Sequence, residues 1–230
     1  MGHVLVLLRH GHSEWNLSDR FTGWTDIPLT ALGLAEGTAA GRRLAQAGYR
    51  FDEVHLSVLQ RTRQTAEVLL AAMDTPEVPV YSTWRLNERH YGALQGLNKQ
   101  EIFSTWGEQD ARRWWRGYYT PPPPVDLDDT RHPHFDPLYA QLSPDILPAA
   151  ESLADCQRRT LPYWHEVLVP RLRAGRRMLV ISHGNTLRGL VMHIEQLSAD
   201  AMEHVEIAPG VPLIYRFSSD LAKQGKEWLD

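Results

Sequence analysis

The chain is 230 residues long, 43% hydrophobic and 23% charged, with a formal net charge of −4. That length and composition describe an ordinary water-soluble globular protein with a sizeable buried core, and exclude a disordered tail. The acidic balance argues against a general nucleic-acid binder, whose affinity would rest on a basic surface, and still allows a locally positive cleft for a small anion.

No apolar run approaches the ~20 residues needed to span a bilayer, so no membrane contact is expected. The N-terminus lacks the order of a secretory signal, and Val6 stands where a myristoylation motif wants Ser or Thr. With Cys156 as the lone cysteine, the expectation is a cytoplasmic protein without an internal disulfide.

Val4 to Leu8 is a continuous apolar run, the pattern of a strand buried on both faces. Thr30 caps a helical stretch that ends at Gly48. Glu53 to Leu56 predicts a short strand, Val58 to Met73 a helix, and Val78 to Tyr81 another strand. Residues 98–106 and 108–116 read as two short helices. Residues 117–150, with Pro121 to Pro124, suit neither a core helix nor a central strand and read as a linker or a loop over a site. A long helix then starts at Glu151, bent at Pro162 and Pro170. Met178 to Ser182 is a second buried strand, Asn185 to Leu197 a helix, and Pro212 to Phe217 a last strand. The alternation predicts an α/β fold: a three-layer sandwich whose mostly parallel central sheet is flanked by helices. A single domain over 1–230 is expected, with a helical and irregular insertion at about 82–150 over the site. Sites in such sheets form at the carboxyl ends of strands.

Two apolar runs end alike there. Val4 to Leu8 is followed by Arg9-His10-Gly11, and Met178 to Ser182 by His183-Gly184-Asn185. Of eleven histidines, only these two precede a glycine. A lone histidine in such a place would merely end a strand; a matched pair on neighbouring strands would face each other across a crevice. Neutral imidazole is a good nucleophile near pH 7 and can carry a phosphoryl group, provided its second nitrogen is held by a hydrogen bond such as one to a backbone carbonyl. Gly11 permits close backbone approach. Arg9 offers a fork of donors to phosphoryl oxygens, a protonated His183 would add another, and the helix after His183 points N–H groups at the same place.

The stretch Leu8-Arg9-His10-Gly11-His12-Ser13-Glu14-Trp15-Asn16 resembles the signature of the histidine phosphatase superfamily, in its phosphoglycerate mutase branch. The segments Arg20 to Thr30, Leu86 to Lys99, Ser182 to Arg188 and Pro209 to Leu213 are similar to that branch, and the resemblance runs from about Val4 to Phe217. It implies that His10 is the phosphorylated nucleophile, with Arg9, Arg61 and His183 around the transferring group and Glu88 as general acid/base. It further implies that Asn16, Thr22, Gly23, Gly184 and Asn185 hold phosphate or substrate, and that Arg89, Tyr91, Lys99 and Arg116 hold the carboxylate and second phosphate. The implied reaction interconverts 3-phosphoglycerate and 2-phosphoglycerate in glycolysis and gluconeogenesis. It would be primed by 2,3-bisphosphoglycerate and need no metal, because cations and the helix end stabilise the charge. Phosphoglycerates are then the partners, and a homodimer or homotetramer is the family's habit. A histidine-dependent phosphatase of the same superfamily with weak mutase activity stays open as the alternative.

The sequence departs from the family pattern at three places. His12 stands where the family usually has Glu or Gln, and reads as a tolerated change near the nucleophile. Trp115-Arg116 replaces a pair of arginines, with Arg112 and Arg113 close by. The chain ends at Lys226 to Asp230, where many relatives carry a longer tail, so more water access to a phosphorylated His10 is expected. Elsewhere, His132 to Asp136 reads as polar surface rather than a metal site, Arg171 to Arg177 as a solvated charge run, and Cys156 as buried and inert.

Overall fold

The protein is described by a computed structural model covering residues 2–230. In chain order the elements are β1 (His3–Arg9), α1 (Glu14–Leu17), α2 (Ala31–Gln46), β2 (Glu53–Leu56), α3 (Gln60–Ala72) and β3 (Val80–Ser82). They continue with α4 (Lys99–Trp106), α5 (Glu108–Arg116), α6 (Leu153–Tyr163), α7 (Val169–Arg173), β4 (Met178–Ser182), α8 (Gly184–Glu195), α9 (Ala199–Glu203), β5 (Leu213–Phe217) and β6 (Lys223–Trp228). The strands form one sheet in the order β3-β2-β4-β1-β5-β6. β3, β2, β4 and β1 run parallel, while β5 and β6 pair antiparallel at the other edge.

The two apolar runs are buried on both faces because alternate residues enter different cores. Leu5, Leu7, Met178 and Val180 pack with Leu187, Leu190 and Val191 of α8 and with Trp164, Leu168 and Leu172. Val6, Leu8, Leu179 and Ile181 pack on the opposite face with Ala40 and Leu44 of α2 and Ala66, Leu69 and Leu70 of α3. This is the three-layer arrangement that the alternation of elements predicts.

Thr30 caps α2 by accepting from the Gly33 N–H at 3.1 Å. The helix stops at Gln46, and Gly48 takes φ of +79°, a left-handed turn that suits glycine. The strand expected from Val78 starts at Val80, because Pro79 brings no N–H to the ladder. Residues 117–150 hold no long element, only short 3₁₀ turns at Pro133–Phe135, Pro137–Tyr139 and Pro144–Ile146. After α6, capped by Ser152 and Asp155, the helix widens into a π turn over Trp164–Leu168 before α7. There the Val169 N–H reaches the Trp164 carbonyl, and Pro170 follows without a donor.

Three expectations are corrected. Pro212 to Phe217 is not the last strand: β6 pairs with β5 and forms the sheet edge. The basic run is not simply solvated, since Arg171 pairs with Glu53 at 2.9 Å and Arg177 with Asp52 at 2.6 Å, tying α7 and β4 to the start of β2. His132 is not surface: it is buried and caps the turn at 133–135 by accepting from the His134 N–H. Among the described residues no group of three or more metal-ligating side chains converges, and no helix is long and apolar enough to cross a membrane.

Candidate active site

The register of the central strands builds the site. Arg9 and Ser182 are paired across β1 and β4, so the residues that follow them, His10 and His183, emerge side by side. The His10 N–H extends the ladder to the Ser182 carbonyl at 3.1 Å. The two imidazoles meet edge to face with centroids 4.9 Å apart.

Their proton positions follow from their partners. His10 Nδ1 lies 2.6 Å from the Gly11 carbonyl oxygen, which can only accept, so Nδ1 carries the proton and Nε2 keeps a free lone pair. Burial, then the positive charges of Arg61 and Arg9, push the His10 pKa well below its ordinary value. The ring is therefore neutral near pH 7, as a nucleophile requires. His183 has the opposite tautomer. Its Nδ1 accepts from Arg61 Nε at 3.2 Å, so Nε2 holds the proton and donates to Ser57 Oγ at 2.8 Å. Burial, Arg61 and His10 also push His183 well below its ordinary pKa. His183, which would add a charged donor if protonated, is neutral here, with both nitrogens engaged.

Gly11 is required by close approach: a Cβ there would lie 2.2 Å from the Gly33 carbonyl oxygen at the start of α2. A Cβ on Gly33 would in turn lie 2.2 Å from the His12 carbonyl oxygen. His12 is held by Glu36, which accepts from its backbone N–H at 2.8 Å and pairs with Nδ1 at 2.7 Å.

A cleft opens over His10, lined by Arg9, Asn16, Thr22, Gly23, Arg61 and Glu88. Tyr91, Lys99, Arg116, Gly184 and Asn185 complete the wall. Arg61 is fully buried, and its Nη1 and Nη2 donate to the Thr25 and Gly23 carbonyls at 2.9 and 2.8 Å. Burial lowers its pKa to about 10, so it stays charged at neutral pH. Arg9 is fixed by donation to the Ile207 carbonyl at 2.9 Å, while its buried Nε has no partner. Thr22 Oγ1 is likewise buried and unpartnered. Buried donors without acceptors are costly, and their clustering beside His10 fits an anion that would satisfy them.

Glu88 is held at the start of α8, where its Oε1 accepts from the N–H groups of Arg89 and Asn185 at 2.8 and 3.2 Å. The loop that carries it has little regular structure and is braced by a buried ion pair, Arg159 with Glu151 at 2.7 Å. Arg159 donates to the carbonyls of Trp84, Arg85, Asn87 and Glu88, and Glu151 accepts from the His90 N–H. Trp24 Nε1 also donates to the Glu88 carbonyl.

Of the residues expected at the site, two are absent from the cleft wall: His183 and, further off, Arg89. Arg89 is fully buried, stacked on Tyr91 at 4.5 Å, and donates to the carbonyls of Trp114 and Trp115 at the end of α5. His183 lies under the cleft behind His10. Sequence reasoning missed Arg20, Arg188, Glu206 and Ile207, which also line it. Arg188 was within reach, since it falls one turn after Gly184 on α8 and so shares its face. Ser57 and the Arg159–Glu151 brace carry no comparable signal. Trp115 replaces a charge with a surface for charges: Arg116 stacks on it at 4.7 Å and Lys99 at 5.6 Å.

A nucleophilic imidazole at the end of a parallel strand, ringed by arginines and faced by a carboxyl group, defines a phosphohistidine type of phosphoryl-transfer centre. A family model, branch 1 of the histidine phosphatase superfamily, matches residues 5–221, and the chain belongs to that superfamily. Over 227 residues it is 48% identical to the 2,3-bisphosphoglycerate-dependent phosphoglycerate mutase of Nitratidesulfovibrio vulgaris, covering 99% of this chain and 91% of that one. Among solved structures, mycobacterial glucosyl-3-phosphoglycerate phosphatase superposes with a TM-score of 0.73 at 22% identity, covering 98% of this chain and 97% of the other. Bacillus stearothermophilus YhfR superposes at 0.72 with 23% identity, covering 96% and 94%. At that identity the two structures establish the fold.

Proposed function

We propose that this protein is a 2,3-bisphosphoglycerate-dependent phosphoglycerate mutase, interconverting 3-phosphoglycerate and 2-phosphoglycerate in the cytoplasm as a step of glycolysis and gluconeogenesis. The observation that carries this is the nucleophile's geometry: a neutral His10 with its Nε2 lone pair free, beside the charged Arg61 and the unpartnered Arg9 Nε. The 48% identity to a curated mutase supports the substrate assignment.

In this reading His10 Nε2 attacks the phosphorus, and the bond from phosphorus to the sugar-acid oxygen breaks. Glu88 gives its proton to that oxygen and takes one back from the other hydroxyl when the phosphoryl group returns. Arg9, Arg61 and the N–H groups at the start of α8 balance the charge on the equatorial oxygens, with Asn16, Thr22, Gly23, Gly184 and Asn185 orienting them. Tyr91, Lys99 and Arg116 take the carboxylate and outer phosphate. Arg89 serves from beneath, by holding the end of α5 and Tyr91. His183, neutral with both nitrogens engaged, holds Arg61 in place behind His10. The phosphoryl group that primes His10 comes from 2,3-bisphosphoglycerate.

The test is isomerisation of 3-phosphoglycerate in chelator, with and without catalytic 2,3-bisphosphoglycerate, beside a His10→Ala variant. Stimulated turnover that vanishes in the variant, with acid-labile phosphate on the wild-type protein, is the expected result. Phosphate release that needs His10 without isomerisation would make the chain a phosphatase of the superfamily and sink the mutase reading.

A further inference from the structure

The cleft is lined by the cations Arg9, Arg20, Arg61, Lys99, Arg116 and Arg188, and by two carboxylates, Glu88 and Glu206. The two carboxylates are engaged differently. Glu88 accepts from backbone N–H groups and forms no ion pair with the cations. Glu206 is bound to a cation of the outer wall: its Oε1 accepts from Arg116 Nη2 at 2.8 Å.

The pair is asymmetric. The Arg116 side chain is 25% exposed and lies over the Trp115 ring, whereas that of Glu206 is 74% exposed. The backbone beside Glu206 is fixed, because the next residue, Ile207, receives the hydrogen bond from Arg9. Glu206 can therefore leave Arg116 by rotating its own side chain into water, with no movement of the chain and no loss of Arg116's aim. Its negative charge is also felt by Arg9 and Arg188, so it sits among the groups that face a ligand.

We propose that Glu206 is a specificity-determining residue of the cleft: its carboxylate occupies Arg116 as an internal competitor, and a ligand must present its own anionic group there to displace it. This deepens the phosphoglycerate reading and rests on it. A ligand whose second anionic group must reach Arg116 loses affinity to the exchange. A lone phosphate near His10 does not, so the competitor selectively weakens a phosphoglycerate and lowers its advantage over inorganic phosphate. An exposed ion pair of this kind competes only weakly, which sets the expected effect at about two- to fivefold in affinity.

The experiment measures calorimetric Kd values for 3-phosphoglycerate and inorganic phosphate in wild type and Glu206→Gln, at low and high salt, with mutase turnover followed in parallel. The expected result is a Kd for 3-phosphoglycerate about two- to fivefold lower in the variant at low salt. The difference should shrink at high salt, as screening weakens the competing pair, and the Kd for inorganic phosphate should not follow it. A Kd for 3-phosphoglycerate that is unchanged or weaker in Glu206→Gln overturns the proposal, as does an equal gain for inorganic phosphate. Binding that shifts as expected in a protein that does not isomerise 3-phosphoglycerate would instead count against the mutase reading and leave Glu206 as a gate for dianionic ligands.

Discussion

His10 and His183 lie 4.9 Å apart yet keep their protons on different ring nitrogens, because one is held by a carbonyl and the other lies between a guanidinium and a hydroxyl. Ser57 is the group that makes the second arrangement possible. Replacing it by alanine leaves a buried Nε2–H without an acceptor, which costs about 1–3 kcal/mol of stability. It also frees the His183 ring to turn, so the kcat of Ser57→Ala should fall about tenfold, a loss of about 1.4 kcal/mol of transition-state stabilisation. Steady-state kinetics with a denaturation curve check both, and an unchanged kcat would show that Ser57 does not set the ring's position. The paired His-Gly strand ends were legible in the sequence because the chemistry recurs at matched places. Ser57, Glu206 and Arg159 were not, because each acts through a partner distant in sequence: His183, Arg116 and the carbonyls around Glu88.

The loop after β1 and the first turn of α2 interlock through two glycines: the Gly33 backbone fills the place of a Gly11 Cβ, and the His12 backbone fills that of a Gly33 Cβ. Gly33→Ala tests this at a residue that touches no ligand. In an open helix the change would favour folding by up to about 1 kcal/mol. Here the new Cβ would start 2.2 Å from the His12 carbonyl oxygen, so the loop carrying His10 must shift. A displacement near 1 Å at a nucleophile costs about a hundredfold in rate, and stability should fall by about 1–3 kcal/mol. A fully active, more stable Gly33→Ala would refute the interlock. Apolar runs and caps made most elements readable: α4 and α5 lie within one residue of the expected 98–106 and 108–116. β6 was hidden because Lys223–Trp228 is exposed at nearly every position and has no alternation to read, so its pairing with β5 alone makes it a strand. The π turn before Pro170 was visible only as a bend, since proline forbids the regular bond without saying which wider one replaces it.

At the scale of the whole molecule, five histidines are buried, His132 among them, and the other four carry large downward pKa shifts: His10 and His183 at the cleft, His55 on β2 and His90 in the loop after Glu88. All four have pKa values pushed down, chiefly by burial, to about 4 for His55 and about 3 for His90. An unfolded chain binds a proton at each of them as pH falls through about 6.5, while the folded chain does not. The unfolded state therefore holds more protons below that pH, so stability is fully present well above about 6.5 and declines on acidification toward the folded pKa values. Each histidine contributes up to about 1.4 kcal/mol of loss by pH 5.5, together on the order of 5 kcal/mol, a large part of a typical domain's stability. Carboxylates such as Asp52, held below its ordinary value by Arg177, add their loss only at lower pH, near and below 4. Urea denaturation at pH 7.5, 6.5 and 5.5 should give a midpoint that falls modestly over the first step, by about 1–1.5 kcal/mol of stability, and about three times as much over the second, with an uptake of three to four protons on unfolding at pH 5.5 read from the slope. A midpoint that stays level to pH 5.5 would mean these rings accept protons inside the fold, and would remove the basis for a neutral His10 nucleophile as well.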